Sequence, residues 1–154
     1  MLISDVFHHV VDAIALETNQ NRNTVQEKLK ECFEGVFDSR RDIRYGSVKV
    51  VDEQAIELPG PGVSSNDGCV EIARIVFLED SIRVIVLVGM WLPSDEESVW
   101  ANLLYDMTYM IASSIESDLD VEKTQEFIVY ELLRYIKEPS TAYTGQYCNT
   151  EQDC

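Results

Sequence analysis

The hydrophobic pattern opens with a helical stripe. Val6, Phe7, Val10, Val11 and Ile14 recur at helical spacing, and Ser4 is placed to cap a helix running to about Thr18. The polar run Asn19–Asn23 interrupts it. Thr24 followed by Glu27 then reads as a capping box, in which hydroxyl and carboxylate satisfy each other's exposed backbone amides. Val25, Leu29, Cys32, Phe33 and Val36 line one face of this second helix, which ends near Phe37. The two helices make a plausible hairpin.

The pattern then changes from helical to extended. Ile43–Val51 is rich in β-branched residues, and Gln54–Leu58 can continue or pair with it. Pro59-Gly60-Pro61-Gly62 and Ser64–Gly68 read as loop. Cys69–Leu78 and Ile82–Leu92 are the clearest strands, joined through Glu79-Asp80-Ser81 as a tight hairpin. Val84–Val88 is apolar at every position, which predicts a central strand covered on both faces.

Helical spacing returns after Pro93. Ser94 with Glu97 forms a second capping box, and Trp100, Leu103, Leu104, Met107, Ile111 and Ile115 define the buried stripe of a helix to about Glu116. Asp120 caps a fourth helix to about Lys137, buried through Val121, Ile128, Leu132, Tyr135 and Ile136, and Pro139 stops it. The layout predicts an α+β fold: two N-terminal helices, an antiparallel sheet of three to four strands, and two C-terminal helices. Residues 1–139 form one domain and 140–154 a flexible, polar C-terminal tail.

Charge changes this picture most. The 154 residues carry 12 Lys plus Arg against 28 Asp plus Glu, a formal net charge of −16. Met1–Val50 is close to neutral, and no cation occurs between Arg83 and Lys123 while Asp95, Glu96, Glu97, Asp106, Glu116, Asp118, Asp120 and Glu122 accumulate. Direct binding to nucleic acid or an anionic membrane is disfavoured, because phosphate contacts need clustered cations. A one-sided field costs self-repulsion, which points to a functional acidic surface rather than one that only keeps the chain soluble.

Candidate chemistry is sparse. Cys32, Cys69, Cys148 and Cys154 show no metal-ligand spacing and read as reduced thiols of a cytoplasmic protein without a signal peptide; whether Cys148 and Cys154 pair is left open. The longest uncharged apolar stretch is too short to span a bilayer. His8 and His9 are adjacent and point about 100° apart on a helix, so they cannot chelate one metal from a single face; one is expected at the boundary of the core and one exposed. Gly60-x-Gly62 lacks the Lys and Ser/Thr of a P-loop. No metal, cofactor or catalytic residue is expected.

Tyr105 and Tyr109 lie one turn apart on the side away from Trp100 and Leu104. Unless a neighbouring element packs over them, they form an exposed aromatic strip among carboxylates, with Met90, Met107 and Met110 nearby. The expected partner-binding residues are therefore Asp95, Glu96, Glu97, Tyr105, Asp106, Tyr109, Glu116 and Asp118.

These features favour a non-enzymatic acidic protein that inhibits a basic, nucleic-acid-handling target, of the toxin-immunity or phage anti-defence type and acting as a nucleic-acid mimic. The expected partner is a basic protein; a homodimer stays open. Gly89-Met90-Trp91-Leu92-Pro93, with Asp95 and Leu103-Leu104, resembles the strand–Leu-Pro–helix passage of type III secretion chaperones. That resemblance implies a small acidic α+β dimer binding effector segments, the second reading. The family returns to strands after this helix, whereas Val121–Ile136 reads as helix. An enzyme using a cysteine or histidine is the third.

Overall fold

The fold comes from a computed structural model that describes residues 2–40, 72–78, 81–92, 95–115 and 120–137. Among them the chain is mostly helical, with four helices and a two-stranded antiparallel sheet in the order α1 (Leu2–Thr18), α2 (Arg22–Ser39), β1 (Ala73–Leu78), β2 (Ser81–Val86), α3 (Glu96–Ser114) and α4 (Val121–Lys137). The candidate strands at 43–51 and 54–58, and the C-terminal tail, lie outside the described residues. No described helix is long and apolar enough to cross a membrane.

Helix α1 is the centre. Every described side chain from Ile3 to Val11 is buried, so this part of the helix is enclosed around its whole circumference, while Leu16 and Glu17 in its last turn are exposed. It packs against α2, α3, α4 and β2. Ser4 is itself buried inside it and does not mark its start. The helix ends at Asn19, whose φ of 52° lies in the left-handed region that Asn tolerates. The amides of Asn19 and Gln20 there turn back to the carbonyls of Leu16 and Ala15 at 3.3 and 3.0 Å, closing the helix in a Schellman arrangement.

Helix α2 starts two residues before the expected capping box. Asn21 is the cap: its side-chain oxygen accepts from the Asn23 amide at 2.9 Å, leaving Thr24 inside the helix. At α4 the expected cap holds, with Asp120 Oδ1 accepting from the Lys123 amide at 2.8 Å. The α4 helix also departs from the strand that the chaperone resemblance implies at this point.

The hairpin pairs Ala73 with Val86 through Leu78 with Ser81, which leaves two positions for the connection. The second strand is shorter than expected. Its ladder ends at Val86 with one further bond, from the Leu87 amide to the Ile72 carbonyl at 2.9 Å; beyond it Gly89 takes a φ of 95° and the amides of Gly89 and Trp91 bond to a side chain instead. Nor is it covered throughout: Val84 is buried, but Ile85–Val88 are half-buried.

Candidate functional site

Helix α3 carries most of the expected partner-binding residues, and the structure turns several of them inward. The expected stripe through Trp100, Leu104 and Ile111 is too narrow. Glu96, Glu97, Trp100, Ala101, Leu104, Tyr105, Thr108 and Ala112 are buried, because α3 packs against both α2 and α4, whereas Ile115 is exposed.

Glu96 is 1% exposed. Its carboxylate accepts from the amides of Gly89 and Trp91, each at 2.9 Å, and from the Trp100 indole N–H at 3.2 Å. Three donors make an isolated buried carboxylate tolerable. Glu97, also buried, holds Lys28 Nζ of α2 at 2.9 Å. Both carboxylates are structural ties rather than surface charges.

Tyr105 is likewise buried, not part of an exposed strip. Its hydroxyl donates to the Arg40 carbonyl at 2.8 Å, and Phe37 meets its ring edge-on with centroids 6.2 Å apart. Asp106 is half-buried and accepts from Arg40 at 2.9 Å, while Asn102 Oδ1 accepts from the same guanidinium at 2.5 Å. Tyr109 is half-buried and Asp95 exposed; Asp95 sits at the N-cap of α3 without a side-chain cap bond. Glu116 and Asp118 lie outside the described residues.

The histidines also differ from expectation: both are buried. His8 Nδ1 lies 3.2 Å from Arg22, whose guanidinium also meets Asp12 at 2.5 Å and Gln26 at 2.7 Å. A guanidinium only donates, so His8 Nδ1 is the acceptor and the ring is neutral with its proton on Nε2. Burial, reinforced by Arg22, pushes the His8 pKa down against the Tyr135 backbone, Asp12 and Asp5. Burial lowers His9 similarly, with Asp12 and Asp5 opposing. For Cys32, burial raises the thiol pKa, helped by Glu97 and opposed by Lys28, so the thiolate is not favoured. No group of three or more His, Cys, Asp and Glu among the described residues is placed to hold a metal ion.

With the α3 acids committed inward, the aligned acidic surface sits on α2. Glu27, Glu31, Glu34 and Asp38 follow a 4-3-4 spacing along its outer face. Glu27, Glu31 and Asp38 are exposed; Glu34 keeps 44% of its side-chain surface and sits 3.7 Å from Lys30. The spacing was available in the sequence, but the nearby cations made α2 look neutral.

One apolar cleft lies between β1 and α3. It is open to solvent, with a volume of about 420 Å³, and is lined by Ile72, Ala73 and Ile75 on the strand side and by Trp100, Leu103, Asp106, Met107 and Met110 on the helix. No family model, curated protein or solved structure matches this chain.

Proposed function

We propose that this chain is a non-enzymatic, cytoplasmic acidic protein that binds and inhibits a basic, nucleic-acid-handling protein. The observation that carries this reading is the row Glu27–Glu31–Glu34–Asp38, presented by a rigid helix on a chain of net charge −16. Neighbouring positions of such a row stand about 5–6 Å apart. One DNA strand carries a phosphate per ~3.4 Å of axis, so the row is a diluted phosphate line. In a cleft lined with Lys and Arg it supplies negative charge without a scissile bond, and the surrounding field accelerates encounter.

The test is inhibition of purified basic nucleases on a DNA substrate, together with association rates for the partner recovered from the native host. Reversing Glu27, Glu31 and Asp38 to Lys should slow association at low salt, with the defect shrinking as salt rises. An unchanged on-rate for that variant at low salt sinks the proposal.

The adaptor reading has its own observation, the methionine-lined cleft between β1 and α3. Methionine adapts to irregular apolar partners. Met107→Glu should abolish binding of an apolar segment there while leaving charge-led association intact.

A further inference from the structure

Helix α4 presents a second ordered face, of opposite character. Lys123, Phe127, Tyr130, Arg134 and Lys137 repeat at 4-3-4-3 spacing, which puts them in one line along the helix. All five are exposed, Phe127 at 61% and Tyr130 at 66%, the two largest aromatic exposures among the described residues. Glu122 and Glu126 border the line, Lys123 pairs with Asp120 at 3.2 Å and Arg134 with Glu131, so the feature is a row of three cations around two rings, two of them already paired locally, rather than a basic helix. Among the described residues, neither ring is covered by the fold.

A complementary face exists on the same chain. The outer side of α2 carries Glu27, Glu31 and Asp38, and among them sits Gly35. Glycine inside a helix destabilises it relative to alanine. The position does not need glycine for lack of room: among the described residues a Cβ there would meet nothing within 4 Å. The missing side chain leaves a bare patch of helix backbone among carboxylates, a seat for a flat ring.

The antiparallel orientation makes three charge pairs and the parallel one two. With α4 antiparallel to α2 and the Phe127–Tyr130 pair over Gly35, Glu27 and Lys137 each lie about 12–13 Å along the axis from that centre. Glu31 then falls beside Arg134. Asp38 falls about 4 Å short of Lys123, within reach of a lysine side chain. The parallel orientation sets Lys123 beside Glu31 and Arg134 about 4 Å from Asp38, but it leaves Lys137 unmatched and brings Glu27 toward Asp120 and Glu122; either way Asp38 meets one acid, Glu126 antiparallel or Glu131 parallel.

We propose that the outer face of α4 docks, antiparallel, on the outer face of α2 of a second copy of this chain. Because α2 and α4 do not touch among the described residues, and α1 and α3 each contact both, the contact joins unlike faces head to tail. The net charge of −16 opposes association, but near 0.15 M salt that repulsion is screened beyond about 8 Å while the paired rows meet directly. The contact does not rest on the proposed inhibition, although it uses the same acidic row, and it is measured on the purified chain alone.

Sedimentation velocity across a concentration series near 0.15 M salt should show reversible self-association. Reversing Lys123, Arg134 and Lys137 to Glu, or Glu27, Glu31 and Asp38 to Lys, should each weaken it about tenfold or more. Mixing the two reversed variants should restore association, with the two alternating in equal amounts, because each altered row again meets one of opposite sign. Gly35→Trp should block association while far-ultraviolet circular dichroism stays unchanged. Phe127→Ala with Tyr130→Ala, conservative at exposed positions, should do the same if the charge variants misfold. A chain that stays monomeric to its solubility limit, or that self-associates equally in all these variants, overturns the proposal.

Discussion

Arg40 and Tyr105 grip each other twice. The Arg40 guanidinium carbon lies 5.0 Å from the centroid of the Tyr105 ring, and the Tyr105 hydroxyl donates back to the Arg40 carbonyl at 2.8 Å. The same guanidinium reaches Asn102 and Asp106 on α3. Arg40 is also the C-cap of α2, so a single residue ends one helix and locks it to another. Tyr105→Phe should therefore cost about 1 kcal/mol, the usual worth of one hydrogen bond. Arg40→Ala should cost about 1–3 kcal/mol, since it leaves the half-buried Asp106 without its cation. Urea unfolding midpoints measure both; equal and negligible losses would show that the grip does not stabilise the fold.

Glu96 gives a second prediction. Glu96→Gln replaces one acceptor oxygen by a donor facing donors, and should destabilise by about 1–3 kcal/mol. Glu96→Ala removes every acceptor from the Gly89 and Trp91 amides and should cost more. Trp100 fluorescence reports the change locally, because the indole N–H loses its charged partner. A Glu96→Gln protein with wild-type stability and emission would contradict this.

The two histidines set a pH dependence. Their folded pKa values lie below the ordinary 6.5. Below about pH 6.5 the unfolded chain therefore takes up protons that the folded chain refuses. Their contribution is fully present above that pH and is lost as pH falls toward the lowered folded values. Unfolding midpoints should drop between about pH 7 and 5, and His8→Asn, which keeps an acceptor near the Nδ1 position, should flatten the slope. A slope identical to the wild type in a variant replacing both histidines would remove them as its source.

Gly35 gives a prediction of opposite sign. Gly35→Ala should stabilise the monomer by about 1 kcal/mol, worth roughly 2–4 °C in Tm for a chain of this size, because the new methyl meets no neighbour among the described residues. Calorimetry at low protein concentration checks it. A loss of stability would mean that the position is occupied.

Local signals were readable where the partners are close in sequence. The 4-3 spacing in α1 and the Asp120 cap on α4 involve neighbours, and both elements end where expected. The α1–α2 boundary went to Asn21 rather than Thr24, a competition between two good caps that spacing alone does not decide. The α3 carboxylates are not legible in the sequence for a different reason. Glu97 finds Lys28 and Asp106 finds Arg40 across more than sixty positions, and burial of an acid is decided by such distant partners, not by its own helix. Gln125 is the same case: buried on α4, it donates to Thr108 of α3 at 3.0 Å, although its sequence neighbours Thr124 and Glu126 are polar.

The enclosure of α1 bears on how the chain is made. Ribosomes add about 5–20 residues per second, and α4 begins about a hundred residues after α1 ends, so α1 waits roughly 5–20 s for the last wall of its enclosure. Through that interval Val6, Phe7, Val10, Val11 and Ile14 have no complete shelter. Nascent chains stalled before α4 should bind holdase chaperones, whereas release of the finished helix should free them. The burden of solubility during synthesis then falls on the cell's folding machinery together with the acidic row of α2, which emerges long before the interior has closed.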